Sequence, residues 1–119
     1  MNNKDTKDLP VDEPINDISS CWECAVKHVT CARVEYFEYL QDNESIKDLM
    51  WCIGDLACAE KHLISIDDTV ASVVREIRKL IMQYNIPLAE VDDMVLAVCE
   101  KANLFKERDA IGKINAETN

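Results

Sequence analysis

Asp67-Asp68-Thr69-Val70-Ala71-Ser72-Val73-Val74-Arg75-Glu76-Ile77-Arg78-Lys79-Leu80-Ile81-Met82-Gln83-Tyr84-Asn85-Ile86-Pro87 is the most regular stretch of this sequence. Val70, Val73, Val74, Ile77, Leu80, Ile81 and Tyr84 recur three and four residues apart, the spacing that lines one face of an α-helix. Asp67 and Asp68 are both suitable N-caps, because a short carboxylate accepts the backbone N–H groups that a first turn leaves unpaired. Asn85 suits the left-handed position after a helix, and Pro87 can begin a helix but cannot continue one. The β-branched residues would also suit a strand, but no alternation of apolar and polar residues accompanies them.

Helical periodicity extends outward in both directions. Upstream, Trp22, Ala25, Val26, Val29, Ala32, Tyr36, Phe37 and Leu40 predict a helix over about Cys21–Leu40. Gln41-Asp42-Asn43 breaks it, and the shortness of that break favours an antiparallel hairpin. A second helix follows over about Glu44–Ser65, with Ile46, Leu49, Met50, Ile53, Leu56, Ala57, Leu63 and Ile64 as its expected core face. Gly54 lies inside it and suggests close packing against a neighbour. Downstream of Pro87, Leu88, Val91, Val95, Val98, Cys99, Ala102 and Phe105 predict a fourth helix. Two glycines and three prolines are too few for the turns of an all-β chain. The expectation is an all-α, four-helix bundle-like domain over residues 19–112, with a flexible acidic N-terminal arm (1–18) and a C-terminal tail (113–119).

The 119 residues support one domain, and a formal net charge of −10 argues against direct contact with a nucleic-acid backbone. The first ten residues are polar and charged, unlike a signal peptide, and no apolar run approaches membrane-spanning length. A cytoplasmic location follows as the expectation. In that reducing setting, the six cysteines are expected as thiols or metal ligands rather than disulfides.

Ser20-Cys21-Trp22-Glu23-Cys24-Ala25-Val26-Lys27-His28-Val29-Thr30-Cys31 concentrates the chemistry. Ser20 and Glu23 read as a capping box that starts the first helix. Cys21, Cys24, His28, Cys31 and Glu35 then share one arc of it, and thiolates near a helix N-terminus are stabilised and bind metal. Folding the second helix back about the Asp42 turn brings His62 near Cys24, Cys58 near His28 and Asp55 near Cys31. A tetrahedral zinc site of Cys21, Cys24 and His28, completed by Cys58 or His62, fits that ligand chemistry. Cys52 and Cys99 read as core residues.

The Asp55, Cys58 and His62 stripe lies nearly opposite the apolar face of its own helix. Either the first helix packs outside the core of the other three, or this stripe lies at the surface or a dimer seam. Trp51 and Asp55 on that side are candidate partner-binding residues, since aromatic anchors dominate interfaces. Glu60 falls within the apolar face and needs a partner, for which Lys27, Lys61 or a metal are candidates.

Cys21-Trp22-Glu23-Cys24-Ala25-Val26-Lys27-His28-Val29-Thr30-Cys31-Ala32, followed by Gly54-Asp55-Leu56-Ala57-Cys58-Ala59-Glu60, resembles a set of small uncharacterised helical phage and prophage proteins. Their pattern is C-x-x-C-x-x-K-H-x-x-x-A and then G-H-L-x-x-A-E, with Asp55 here in place of the histidine. The resemblance covers about the first two helices and implies no particular activity.

A small cytosolic interaction or assembly protein is the leading expectation, acting through a protein partner or homo-oligomer and pinned by a structural Cys/His zinc site. One alternative is a thiol-redox or metal-dependent enzyme using Cys21 and Cys24. The other is an acidic mimic that occupies a DNA-binding protein. No glycine-rich phosphate loop, H-E-x-x-H or G-x-S-x-G stands in the sequence to argue for a named reaction.

Overall fold

Apolar residues at helical spacing bury one stripe per helix, and four such stripes close around a shared core. A computed structural model describes residues 18–41 and 45–118, with side chains described as far as 114. Its elements are α1 (Ile18–Gln41), α2 (Ile46–Ile64), α3 (Asp68–Gln83) and α4 (Leu88–Thr118). α1 packs against α2 and α4, and α3 packs against the same two helices. The chain is an all-α, four-helix bundle-like fold. The proposed N-terminal arm lies outside the described residues, apart from Ile18, which opens α1. Residues 113–118, read from the sequence as a tail, continue α4.

Trp22, Ala25, Val29, Ala32, Tyr36 and Tyr39 supply the buried face of α1. Tyr36 closes the core with two hydrogen bonds: its hydroxyl donates to the Ile86 carbonyl at 2.6 Å and accepts from the Ile86 N–H at 2.7 Å. The Tyr39 hydroxyl donates to Asn85 Oδ1 at 2.9 Å, which draws Tyr39 inward. Phe37, expected in the core, lies outside under the Arg33 guanidinium. On the other flank Arg33 Nε donates to Asp92 on α4 at 2.7 Å.

α1 begins earlier than the capping-box reading places it. Ser20 is the third helical residue rather than the cap, because Ile18 and Trp22 line a cleft with Ile66, Leu104 and Phe105 that holds the first turn. Cys24 is thereby three residues further from the start of the helix than the capping-box reading places it. For α3 the cap is as expected: Asp67 accepts from the Val70 N–H at 3.2 Å.

α2 is rotated from the orientation its composition suggests, by about 70° at ~100° per residue. Cys52, Leu56, Ala59, Glu60 and Leu63 are buried, whereas Ile46, Met50, Ala57 and Ile64 are exposed. The polar residues explain the rotation. Asp55 finds His28 on α1, and Glu60 finds Arg75 and Arg78 on α3. Turning both flanks toward partners leaves four apolar residues outside. Glu60 is therefore held by the α3 arginines, at 2.6 and 2.9 Å, and not by Lys27 or Lys61. Gly54 also lies outside: a Cβ built there meets nothing within 4 Å, so no close approach among the described residues accounts for it.

Candidate functional site

Two places on α2 carry unusual chemistry. The first is the seam with α1. His28, one helical turn past Cys24, directs Nδ1 to Asp55 Oδ1 at 2.7 Å. Its ring also stacks on His62, with centroids 6.2 Å apart and planes within 16° of parallel. His28 therefore stands level with Cys58, between Asp55 and His62, which lie a turn to either side. Cys58 at that height points outward and is exposed.

Glu35 extends the seam, two turns along α1 from His28. Burial first, then a hydrogen bond with Asp55 and the charges of Asp55 and Asp48, push its carboxyl up to about 7. Its buried Oε1 meets no N–H or O–H donor among the described residues. The Glu35–Asp55 contact is then satisfied only when one of the two carboxyls keeps a proton. Burial, followed by the charges of His28 and Lys61, pulls the His62 imidazole below its ordinary value. Behind the seam, burial and the two carboxylates push the Cys52 thiol up to about 12, which makes it an unreactive core residue.

The second place is the outward face of α2. Ile46, Met50 and Trp51 are 64%, 67% and 60% exposed. Together with Lys47 and Gly54 they line a concavity of about 590 Å³. Trp51 and Asp55, paired by the sequence as partner-binding residues, face different surroundings: Trp51 lies open, while Asp55 turns into the α1 seam with its side chain 18% exposed.

The zinc-site residues spread along α1 and α2. His28 and His62 meet; Cys21 and Cys24 are half-buried on α1, and Cys58 is exposed. None of the six cysteines is in a disulfide. Among the described residues no three His, Cys, Asp or Glu side chains are grouped so as to hold a metal ion. Sequence reading placed Glu35 in the stripe of α1 without a role. It missed the outward set of Ile46, Met50 and Lys47, because the apolar members were indistinguishable from core residues.

No protein family, curated protein or solved structure matches the chain. No described helix is long and apolar enough to cross a membrane. The functional reading therefore rests on these side chains.

Proposed function

We propose that this protein is a small helical interaction and assembly module that docks a protein partner or a second copy through the outward face of α2. The observation that carries this is the exposure of Trp51 beside Met50 and Ile46 along one helix face. Single exposed apolar residues are ordinary, but a contiguous cluster centred on a tryptophan has the composition of an interface core. The phage-like cysteine pattern supports an origin in a mobile element. Trp51→Ala tests the reading: association, followed by sedimentation velocity or partner capture, should weaken while helix content and melting temperature hold. Unfolding of the variant, or unchanged association, would reject it.

A second reading keeps a structural zinc ion between α1 and α2. Its support is the nearness of His28 to His62 across the seam, with Cys24 one turn before His28 and Cys58 one turn before His62 in sequence; the two rings would have to turn out of their stacked arrangement to share an ion. In that role the metal would staple the two helices rather than take part in a reaction.

A further inference from the structure

We infer that the partner received by the outward face of α2 is an acidic amphipathic helix, seated over Gly54 between Lys47 and Lys61. This deepens the docking reading above and rests on it.

Gly54 is the first ground. Glycine inside a helix weakens it relative to alanine, and sequences keep one there where a turn, a bend or another backbone requires it. None applies among the described residues: Gly54 is exposed in the middle of an unbroken helix, and a Cβ at that position would meet nothing within 4 Å. What its missing side chain provides is room on the outside. Met50 and Trp51 rise on one side of the notch, and the small, exposed Ala57 and Cys58 continue it on the other. That relief suits a helix approaching closely at Gly54 and packing its own apolar residues against Met50 and Trp51.

Charge is the second ground, and it selects the partner. The chain carries 23 acidic residues against 13 basic ones. On α2 the carboxylates turn away from the outward face: Asp48 and Asp55 lie toward Glu35 on α1, and Glu60 is clasped by Arg75 and Arg78 on α3. Lys47 and Lys61 remain, both exposed and neither ion-paired with a described carboxylate. They lie two heptads apart on one line through Gly54, about 21 Å at ~1.5 Å per residue. A helix with carboxylates at its two ends and an apolar middle complements that line in both charge and length.

A second copy fits less well. A two-fold axis through Gly54 would set Lys47 of one chain against Lys61 of the other, so that each lysine faces a like charge rather than a carboxylate.

The test uses the full chain and two synthetic 18-residue helical peptides with the same leucine and alanine seam, one flanked by glutamates and one by lysines. Fluorescence anisotropy of the labelled peptides should show binding of the glutamate peptide, weakening with salt, and none of the lysine peptide. Lys47→Glu combined with Lys61→Glu should lower that affinity at least tenfold. Gly54→Leu should abolish binding while the melting temperature holds or rises, since the helix gains propensity and the added Cβ meets nothing within 4 Å among the described residues. Equal binding of both peptides, no binding of the glutamate peptide, or undiminished binding by Gly54→Leu would overturn the inference. Self-association lost on Trp51→Ala, together with no binding of the glutamate peptide, would leave the docking face standing and remove the acidic helix alone.

Discussion

Asp55 Oδ1 lies 2.7 Å from Nδ1 of His28, and the same carboxyl group is hydrogen-bonded to Glu35. One aspartate thus faces an imidazole and a second carboxyl across the α1–α2 seam, and burial makes Glu35 the carboxyl that keeps the proton their contact needs.

That proton makes stability depend on pH. An unfolded glutamate ionises near its ordinary value of 4.5, whereas Glu35 in the fold ionises near about 7. Between those values the unfolded chain has released a proton that the folded chain keeps. The contribution is therefore complete below about pH 4.5 and is lost as pH rises toward about 7. His62 acts in the opposite sense: its lowered pKa removes stability as pH falls below its ordinary value of 6.5. Comparing wild type with Glu35→Gln isolates the glutamate. Denaturant melts at pH 8 should show the variant more stable by roughly 1–3 kcal/mol, with the difference closing near pH 4. A variant no more stable at pH 8 than wild type would show that Glu35 is not constrained in this way.

Glu60 presents the contrary case. Burial raises its carboxyl pKa, but hydrogen bonds and charges from Arg75 and Arg78 outweigh that and hold it below the ordinary range. Its contribution is present above about pH 4.5 and is lost as pH falls through the lowered value. Glu60→Ala leaves two half-buried guanidinium groups facing each other without the anion between them. Because both arginines keep some contact with water, the expected loss is roughly 1–3 kcal/mol rather than that of a fully buried pair. Arg75→Ala should be milder, since Arg78 still holds the carboxylate. Thermal melts of the two variants at pH 7 check the order.

Tyr36 is fully buried and fastens α1 to the α3–α4 connection through both the N–H and the carbonyl of Ile86. Tyr36→Phe keeps the ring and removes both bonds, stranding a buried backbone N–H. The expected destabilisation is about 1–3 kcal/mol, read from denaturant unfolding. Tyr39→Phe, which loses one half-buried bond to Asn85, should be affected less. Equal losses would show that the Ile86 contacts are replaced by water.

The helices were legible because periodicity needs no knowledge of neighbours. Val70, Val74, Ile77 and Ile81 repeat on one face of α3 and are buried there. The rotation of α2 was not legible, for a physical reason: Ile46 and Leu56 offer the same hydrophobic gain, and only partners distant in sequence decide which is buried. His28 for Asp55, and Arg75 with Arg78 for Glu60, made that decision. The stripe of Asp55 and His62 could be read as a stripe, but not as the edge of the core. Glu35 showed the right spacing, yet its proton depends on a carboxylate twenty residues away. Gly54 signalled a close approach that the described residues do not make.

The zinc reading has a direct experimental consequence. If an ion staples α1 to α2 through His28 and His62 with thiolates from Cys21, Cys24 or Cys58, protein purified without chelator should contain about one zinc per chain. A strong chelator should then lower the melting temperature, because metal bound only by the folded state adds its binding free energy to stability. Cys24→Ser should reduce both the zinc content and the chelator effect. Substitution with cobalt reports the ligands separately: thiolate ligation gives an intense charge-transfer band near the ultraviolet, whereas ligation by imidazole and carboxylate gives only weak visible bands. Zinc content with weak visible bands alone would move the ion from the cysteines to His28, His62 and their carboxylate neighbours. Metal-free protein whose melting ignores both chelator and added zinc would leave the seam as a hydrogen-bonded contact, with His28 positioned by Asp55 and His62 alone.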